Sequence, residues 1–450
     1  GYVVSDSNDI ARLHDFMKVA QSHESAAEMA LKAGVDIDLY SDLAYTYLPA
    51  MAKKDPSLME YIDRSVGHVL RTKFVLGLFE NPFVDVEDTQ KEVRSIASQE
   101  LALEADLESA ILLKNEHNAL PLNPDRVTKV AFLGPLLDEN TQAMFERVTG
   151  SSVEYVSEQG FELTDQNGGV PDLLPIDDAK IVSLLEKAGS VDATVLFLGG
   201  DEFTAKEAYF NGAFGDRDSI HPVGPQDELV KRVKALGIPV IVVLKHRRTL
   251  SINVISDEAD AILDSWDLSE FGDIAIAKIL FGEVSPSGKL PVTVPRSIGQ
   301  FPFHYSQKEI NFKKGYLFQK VGPLYPFGHG LSYASFNYSE PDISSTELVT
   351  GGELVVSVDV SNTGDHIAKE VVQLYIKDLI GSVIRPNKEL KGFQKIELKP
   401  GETRTVRFTI TPDMLVFTGL DMEPVLEAGD YEAMVGTSSA VHQTAAFQLK

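Results

Sequence analysis

The sequence contains no cysteine. That excludes disulfides, thiolate nucleophiles and any zinc or iron–sulfur site built on cysteine. It is also poor in positive charge: 41 Lys plus Arg stand against 67 Asp plus Glu, a formal charge of -26. A chain of that sign repels phosphate backbones and anionic membrane surfaces on average, so nucleic acid and membrane are poor partners. No long apolar run occurs. The longest, such as Ile238 to Leu244, are strand-sized and far short of the roughly 20 residues that cross a bilayer. The opening residues, Gly1-Tyr2-Val3-Val4-Ser5-Asp6, lack both an initiating Met and a basic-apolar leader, so the text is expected to open inside a longer protein, within a strand. G-x-G-x-x-G, H-E-x-x-H and G-x-S-x-G are all missing, so dinucleotide, zinc-hydrolase and serine-hydrolase readings lose their signatures. The strand-like Val130 to Gly134 is read as buried sheet, and Gly150-Ser151-Ser152 lacks the nucleophile-elbow pattern.

What remains is an ordinary globular composition, 43% hydrophobic and 24% charged over 450 residues. At roughly 150 residues per domain, that predicts about three domains. From Gly1 to about Phe83 the pattern runs strand, helix, strand, helix. Tyr2 to Ser5 and Val35 to Leu39 are short apolar runs, and Ile10 to Ala33 and Ser57 to Leu76 carry helical spacing. A helix through Ala97 to Ser109 leads into Ile111 to Asn115. Near-continuous apolar runs then recur at Lys129 to Gly134, Ala193 to Gly199 and Pro239 to Leu244, separated by helical segments at Asp178 to Ala188 and Gln226 to Leu236. This predicts an α/β sandwich around a mostly parallel sheet buried on both faces. From about Phe336 short alternating strands follow, Leu354 to Val360, Val371 to Ile376, Thr403 to Ile410 and Tyr431 to Val435, with turns such as Asn362-Thr363-Gly364 between them. That spacing predicts an immunoglobulin-like or fibronectin-like sandwich. The expected division is residues 1–85, 86–310, a linker at 311–335 and 336–450.

Several candidate residues can be weighed on pattern alone. Asp6 follows a strand and precedes a helix, so it fits either a helix cap or a functional carboxylate at a strand end. The loop after Ala193 to Gly199 holds Asp201, Glu202, Glu207, Asp216 and Asp218, a pattern common to solvated loops. Lys245-His246-Arg247-Arg248 reads first as a solvated strand end, with pocket lining as the other reading. Trp266, the single tryptophan, could stack on a sugar or pack in the core. The ten His residues show no ligand spacing, and His14 and His23, nine apart, read as residues of one helix.

Particular strings carry a sharper signal. They are Val3-Val4-Ser5-Asp6, Ala33-Gly34-Val35-Asp36-Ile37-Asp38, and Val69-Leu70-Arg71-Thr72-Lys73-Phe74 running on to Gly77-Leu78-Phe79-Glu80-Asn81-Pro82. Next come Ile111-Leu112-Leu113-Lys114-Asn115-Glu116, Ser285-Pro286-Ser287-Gly288-Lys289-Leu290-Pro291, Leu324-Tyr325-Pro326-Phe327-Gly328-His329-Gly330-Leu331-Ser332-Tyr333, and Lys391-Gly392-Phe393. In this order the sequence resembles glycoside hydrolase family 3, the β-glucosidase and β-xylosidase group, over essentially its whole length.

The resemblance implies a (β/α)8 barrel, an α/β sandwich and a fibronectin type III-like domain, with a sugar pocket between the first two. A barrel takes about 250 residues, so the first 85 residues here would hold only its C-terminal remnant, two β/α units. The missing units would come from an absent N-terminal segment or a second polypeptide. The resemblance further implies a retaining β-glycosidase acting on β-linked oligosaccharides or β-glucosides, glucosides first and xylosides second, without metal or organic cofactor, and exported to the periplasm or medium. Its nucleophile would be Asp6, and its acid/base Glu207, with Glu202 as the alternative. Ser7, Arg248 and Trp266 would line the substrate site; Ser7 stands where the family usually has Trp. Three strings depart from the family: His246-Arg247-Arg248-Thr249-Leu250, Trp266 to Asp273, and His221-Pro222-Val223-Gly224 ahead of Gln226. The rival expectation is a non-catalytic carbohydrate-binding or scaffold fragment; the partner expected besides substrate is the missing N-terminal barrel segment or a second copy in a homo-oligomer.

Overall fold

A computed structural model describes residues 1–39, 43–163, 178–202, 204–205, 217–308 and 317–450. The chain divides into two compact units, Gly1–Ile96 and Ala97–Lys450.

In the first unit the two expected strands meet in a single parallel bridge, Val4 to Ile37. The Ser5 N–H donates to the Ile37 carbonyl and the Ile37 N–H to that of Val3. With one neighbour each, these segments form no longer ladder. No closed barrel is present among the described residues of Gly1–Ile96. The helix expected over Ile10 to Ala33 is two helices, α1 (Asp9–Asp15) and α2 (His23–Ala33). Between them Lys18 takes φ 58°, which an α-helix cannot accommodate. α2 starts where Ser22 Oγ accepts the Ser25 N–H, and ends at Gly34 with φ 102°, as capping rules demand. Then follow α3 (Leu48–Lys54), α4 (Leu58–Val75) and α5 (Val86–Glu92), the last capped by Asp85. A small core of Ile10, Ala26, Ala27, Ala30, Leu31 and Leu48 holds α1 to α3 together.

α6 (Ile96–Ser109) leads to β1 (Ile111–Asn115), and the α/β domain continues through β2 (Lys129–Leu133), α7 (Thr141–Thr149), β3 (Glu154–Glu158), α8 (Asp178–Ala188), β4 (Ala193–Gly199), α9 (Gln226–Lys234), β5 (Val240–Lys245), α10 (Asn253–Glu258), β6 (Ala261–Trp266) and α11 (Gly272–Leu280). The sheet order is β1-β6-β5-β4-β2-β3. β1 is antiparallel to β6, and every other neighbouring pair is parallel. Each interior strand is buried on both faces, which explains the near-continuous apolar runs. Leu196, Leu198, Val242 and Leu244 face one core with residues of α8 and α9. Val195, Phe197, Ile241 and Val243 face the other with residues of α7 and α11. Phe132 anchors that second core, its ring centroid 4.6 Å from Phe145 and 4.8 Å from Tyr155.

Then come β7 (Phe336–Tyr338), β8 (Asp342–Ile343), β9 (Glu347–Leu348), β10 (Leu354–Asn362), β11 (Ala368–Asp378), β12 (Glu389–Leu398), β13 (Thr403–Ile410), β14 (Phe417–Thr418), β15 (Pro424–Val425), β16 (Gly429–Gly436) and β17 (His442–Leu449). One sheet runs β13-β10-β7, with β8 also on β10, and the other runs β12-β11-β16-β17-β9. Alternate residues such as Val356, Val358, Leu374 and Val435 point inward to one core, as a sandwich requires. Buried Glu370 of β11 joins this sandwich to the α/β domain, accepting Lys289 Nζ at 3.1 Å and the Tyr338 hydroxyl at 3.0 Å. Among the described residues no helix is long and apolar enough to cross a membrane.

Candidate active site residues

In the first unit Asp6 directly follows the Val4–Ile37 bridge. The segment is pinned by the Asp36 carboxylate, which accepts the Val3 N–H at 2.9 Å, and by Ser5 Oγ, which accepts the Leu39 N–H at 3.0 Å. Asp6 is exposed, and its carboxylate accepts the Ser7 N–H at 2.6 Å. It does not cap α1: the N-cap residue is Asn8, at φ 60° and with no side-chain cap bond. The cap reading of Asp6 is therefore overturned, and its carboxylate stays at a strand end facing solvent. Ser7 beside it is partly buried.

Glu202, Arg248 and Trp266 lie at or just beyond the C-terminal edge of the parallel sheet in the second unit, the end at which open α/β folds gather ligand-binding loops. Two glycines end their strands there at positive φ. A Cβ on Gly134 (φ +118°) would lie 2.5 Å from the Phe197 carbonyl oxygen, and one on Gly199 (φ +135°) 2.0 Å from that of Lys245. Only glycine fits such approaches. Buried Gln226, the first residue of α9, braces the end of β4: its Oε1 accepts the Gly199 N–H at 2.7 Å, and its Nε2 donates to the carbonyls of Gly199 at 2.9 Å and Val223 at 2.8 Å. The loop leaving this brace carries Glu202, which is exposed. Glu207 lies outside the described residues.

Beside this loop, Arg247 follows β5 and donates through Nε to Asp267 at 2.6 Å, with its Nη1 3.9 Å from Glu202. One guanidinium thus stands between the loops after β4 and β6. Arg248 is half-buried. It lies close enough to Arg217 that burial, and then the Arg248 charge, lower the Arg217 pKa while Asp218 opposes them.

The first half of the basic run is not a solvated strand end. Lys245 donates to Asp273 at 2.9 Å, and Asp273 also accepts the Thr141 hydroxyl at 2.6 Å. His246 is 5% exposed; its Nε2 lies 2.9 Å from Asp264 Oδ1, and Asp264 is 2% exposed. The same Asp264 oxygen accepts the Trp266 N–H at 3.1 Å, and the His246 N–H donates to the Trp266 carbonyl at 3.2 Å. Trp266, at φ 51°, is partly buried against the first sheet core, with its ring centroid 4.6 Å from that of His246. It also borders a cavity of about 340 Å³ shared with Asp138, Met144, Lys245, Ser269 and Asp273. The side chain packs in the core, and the residue also borders this cavity. Roomier hollows lie elsewhere, one of about 460 Å³ around Asp192 and Asp260 and one of about 950 Å³ against the sandwich.

Sequence reasoning missed Gln226, Asp264, Asp267 and Asp273. The readable signal was a polar pair, Asp264-Ser265, inside the otherwise apolar run Ala261 to Trp266.

A doubly covered, mostly parallel sheet with a polar C-terminal edge, followed by a β-sandwich, defines the class. Residues 110–333 match the glycosyl hydrolase family 3 C-terminal domain, and residues 370–439 the fibronectin type III-like domain. The chain belongs to glycoside hydrolase family 3. It is 63% identical over its full length to a putative β-xylosidase of Formosa agariphila, covering 60% of that protein, and 33% identical to a periplasmic β-glucosidase of Salmonella typhimurium, covering 63%. Among solved structures, a β-glucosidase from Erythrobacter marinus superposes with a TM-score of 0.94 at 38% identity, over all of this chain and 63% of that one. A β-glucosidase from Listeria innocua in complex with isofagomine gives 0.87 at 29% identity, over all of this chain and 64% of that one. The chain thus spans about three fifths of the length of these relatives.

Proposed function

We propose that the chain is part of a retaining β-glycosidase that releases terminal β-linked xylose or glucose from short oligosaccharides and aryl glycosides. Its family membership, with relatives named for β-xylosidase and β-glucosidase activity, supports this reading. The observation that carries it is Asp6, an exposed carboxylate at a strand end that no helix uses as a cap. Retaining hydrolysis needs two carboxyl groups about 5–5.5 Å apart. In the proposed mechanism Asp6 attacks the anomeric carbon while Glu207 protonates the departing glycosidic oxygen, giving a glycosyl ester and a free alcohol. Glu207, now a carboxylate, takes a proton from water, whose oxygen attacks the anomeric carbon; the ester bond breaks, Asp6 is regenerated and Glu207 is again protonated. Glu202 is the alternative acid/base. Arg248 and Trp266 would bound the sugar, and Ser7 would leave room where the family carries Trp. A periplasmic or secreted location is proposed by analogy with the Salmonella relative.

The chain alone is proposed to need further barrel residues, since Gly1–Ile96 shows one parallel bridge among its described residues. For the isolated chain, that same observation favours the second reading, a carbohydrate-binding fragment without turnover. The test is hydrolysis of p-nitrophenyl β-xyloside and β-glucoside by this chain, and by a fusion to the preceding segment of the Formosa relative. Turnover by the fusion, falling at least about 100-fold in Asp6→Ala, is expected; an inactive, folded fusion would overturn the proposal. Azide should restore activity on the activated aryl substrate to Glu207→Ala. Rescue of Glu202→Ala instead would reassign the acid/base.

A further inference from the structure

The loop between α1 and α2 gathers three side chains that the glycosidase reading leaves unused. His14 and Asp15 are the last two residues of α1, and His23 is the first of α2. The expectation that the two histidines share one helix is overturned: the break at Lys18 turns the chain, and the rings meet edge to face with centroids 5.1 Å apart. His23 Nε2 lies 2.8 Å from Asp15 Oδ1, and His14 Nδ1 lies 3.0 Å from the Ala20 carbonyl oxygen. One ligand atom from each of the three residues falls within 4.8 Å of the other two. Among the described residues no other group of His, Asp and Glu does so.

Each feature fits a metal ligand set. When Nδ1–H of His14 donates to the Ala20 carbonyl, Nε2 keeps its lone pair, which is the arrangement metal-ligating histidines use to fix ring and tautomer. The chain around them is held in place. Met17 N–H donates to Arg12, and those of Val19 and Ala20 donate to Leu13. Ala20 is buried in the same core as Ile10, Ala26 and Ala27. A tetrahedral ion bound at about 2.0–2.1 Å keeps its ligands roughly 3.4 Å apart, so closure asks for about 1.4 Å of movement at the widest pair, within side-chain rotation.

We propose that His14, Asp15 and His23 bind a divalent transition-metal ion, Zn²⁺ foremost, and that the ion staples the end of α1 to the start of α2. Two imidazoles and one carboxylate suit zinc, copper or nickel; Ca²⁺ and Mg²⁺ require oxygen-rich shells that this site does not offer. Three protein ligands leave one position for water. This inference is independent of the glycosidase reading, because the site would bind its ion whether or not the protein hydrolyses sugars.

The test titrates the full chain with ZnCl₂ by calorimetry, and follows tryptic cleavage after Lys18, which is exposed in the loop. One saturable equivalent is expected, with cleavage after Lys18 slowed at least about tenfold by Zn²⁺ and not by Ca²⁺. His14→Ala, His23→Gln and Asp15→Asn should each weaken binding about 10- to 100-fold, the size of loss typical at metal sites, and abolish the protection. His23→Gln and Asp15→Asn keep polar groups on partly or largely exposed positions, so the fold survives, and unchanged far-ultraviolet dichroism confirms it. Absence of a saturable equivalent, or affinity unchanged in folded His23→Gln, would overturn the site.

Discussion

Gln226 offers the sharpest test of how the sheet edge is built. Its side chain makes three hydrogen bonds, at 2.7, 2.9 and 2.8 Å, all to main-chain groups of Gly199 and Val223. The residue has no exposed surface. Gln226→Leu keeps roughly the same volume and removes every one of these bonds. An orphaned buried polar group costs about 1–3 kcal/mol, so the Gly199 N–H and C=O alone imply a loss of about 2–6 kcal/mol. That is a large part of the 5–15 kcal/mol typical of a domain.

The single tryptophan, Trp266, ends β6 of the same sheet, so its fluorescence reports urea unfolding of this domain. With a slope of about 2 kcal/mol/M, the midpoint should fall by about 1–3 M. Gln226→Glu is the control. At neutral pH it aims a carboxylate at two carbonyls and should be no better than Leu. On acidification the protonated acid regains one donor, so its deficit should shrink. A Leu midpoint within about 0.3 M of wild type, or a Glu variant indifferent to pH, would refute the brace.

Four further outcomes follow from the same geometry. His246→Leu should cost about 3–5 kcal/mol by stranding the buried Asp264 carboxylate, whereas adding Asp264→Leu should return part of that loss; urea midpoints of the two single and the double variant decide it. Arg247→Ala should change stability by less than about 1 kcal/mol, because its pairs with Asp267 and Glu202 are more than half exposed. Gly199→Ala should lower the midpoint by at least about 1 M, its methyl meeting the Lys245 carbonyl. His329 is held below the ordinary imidazole pKa by burial, and further lowered by Lys289, while its bond to the Leu113 carbonyl opposes this. The unfolded chain therefore takes up the proton first, so this contribution is complete above about pH 6.5 and is lost as pH falls toward the depressed folded value. His329→Gln should remove that part of the pH slope.

Legibility in the sequence followed burial. β4 and β13 were readable to the residue, because continuous apolar or strictly alternating runs end at Gly199 and after Ile410. β3, Glu154–Glu158, escaped notice: it is an edge strand, half open, with too few apolar residues to show a period. β6 was obscured by Asp264 and Ser265, polar residues that bond to His246 just after β5 and to the Leu244 carbonyl within it. The false helix over Ile10 to Ala33 arose because Phe16, Met17 and Val19 extend the apolar spacing although all three are exposed. Glu202, Arg248 and Trp266 could be picked out as candidates because each lies at or just beyond the end of a strand. The contacts joining His246 to Asp264, and Lys245 to Asp273, span 18 and 28 residues, and no local pattern encodes them.

Those same contacts bear on the strings in which this chain departs from its family. His246 and Arg247 belong to one of the strings read as departures, and Asp267, Ser269 and Asp273 to another. If these replacements were drift in a domain relieved of constraint, their charges would sit unmatched. Instead Lys245 meets Asp273, Arg247 meets Asp267, and His246 meets Asp264. Ser269 is engaged as well, its N–H and hydroxyl both donating to the Asp106 carboxylate at 2.9 and 2.6 Å. The first three pairs tie the end of β5 and the loop after it to β6 or to the segment beyond it, and the two Ser269 bonds tie that segment to α6. For the buried pair, His246 and Asp264, removing one partner alone would cost about 3–5 kcal/mol, so these two positions can change only together.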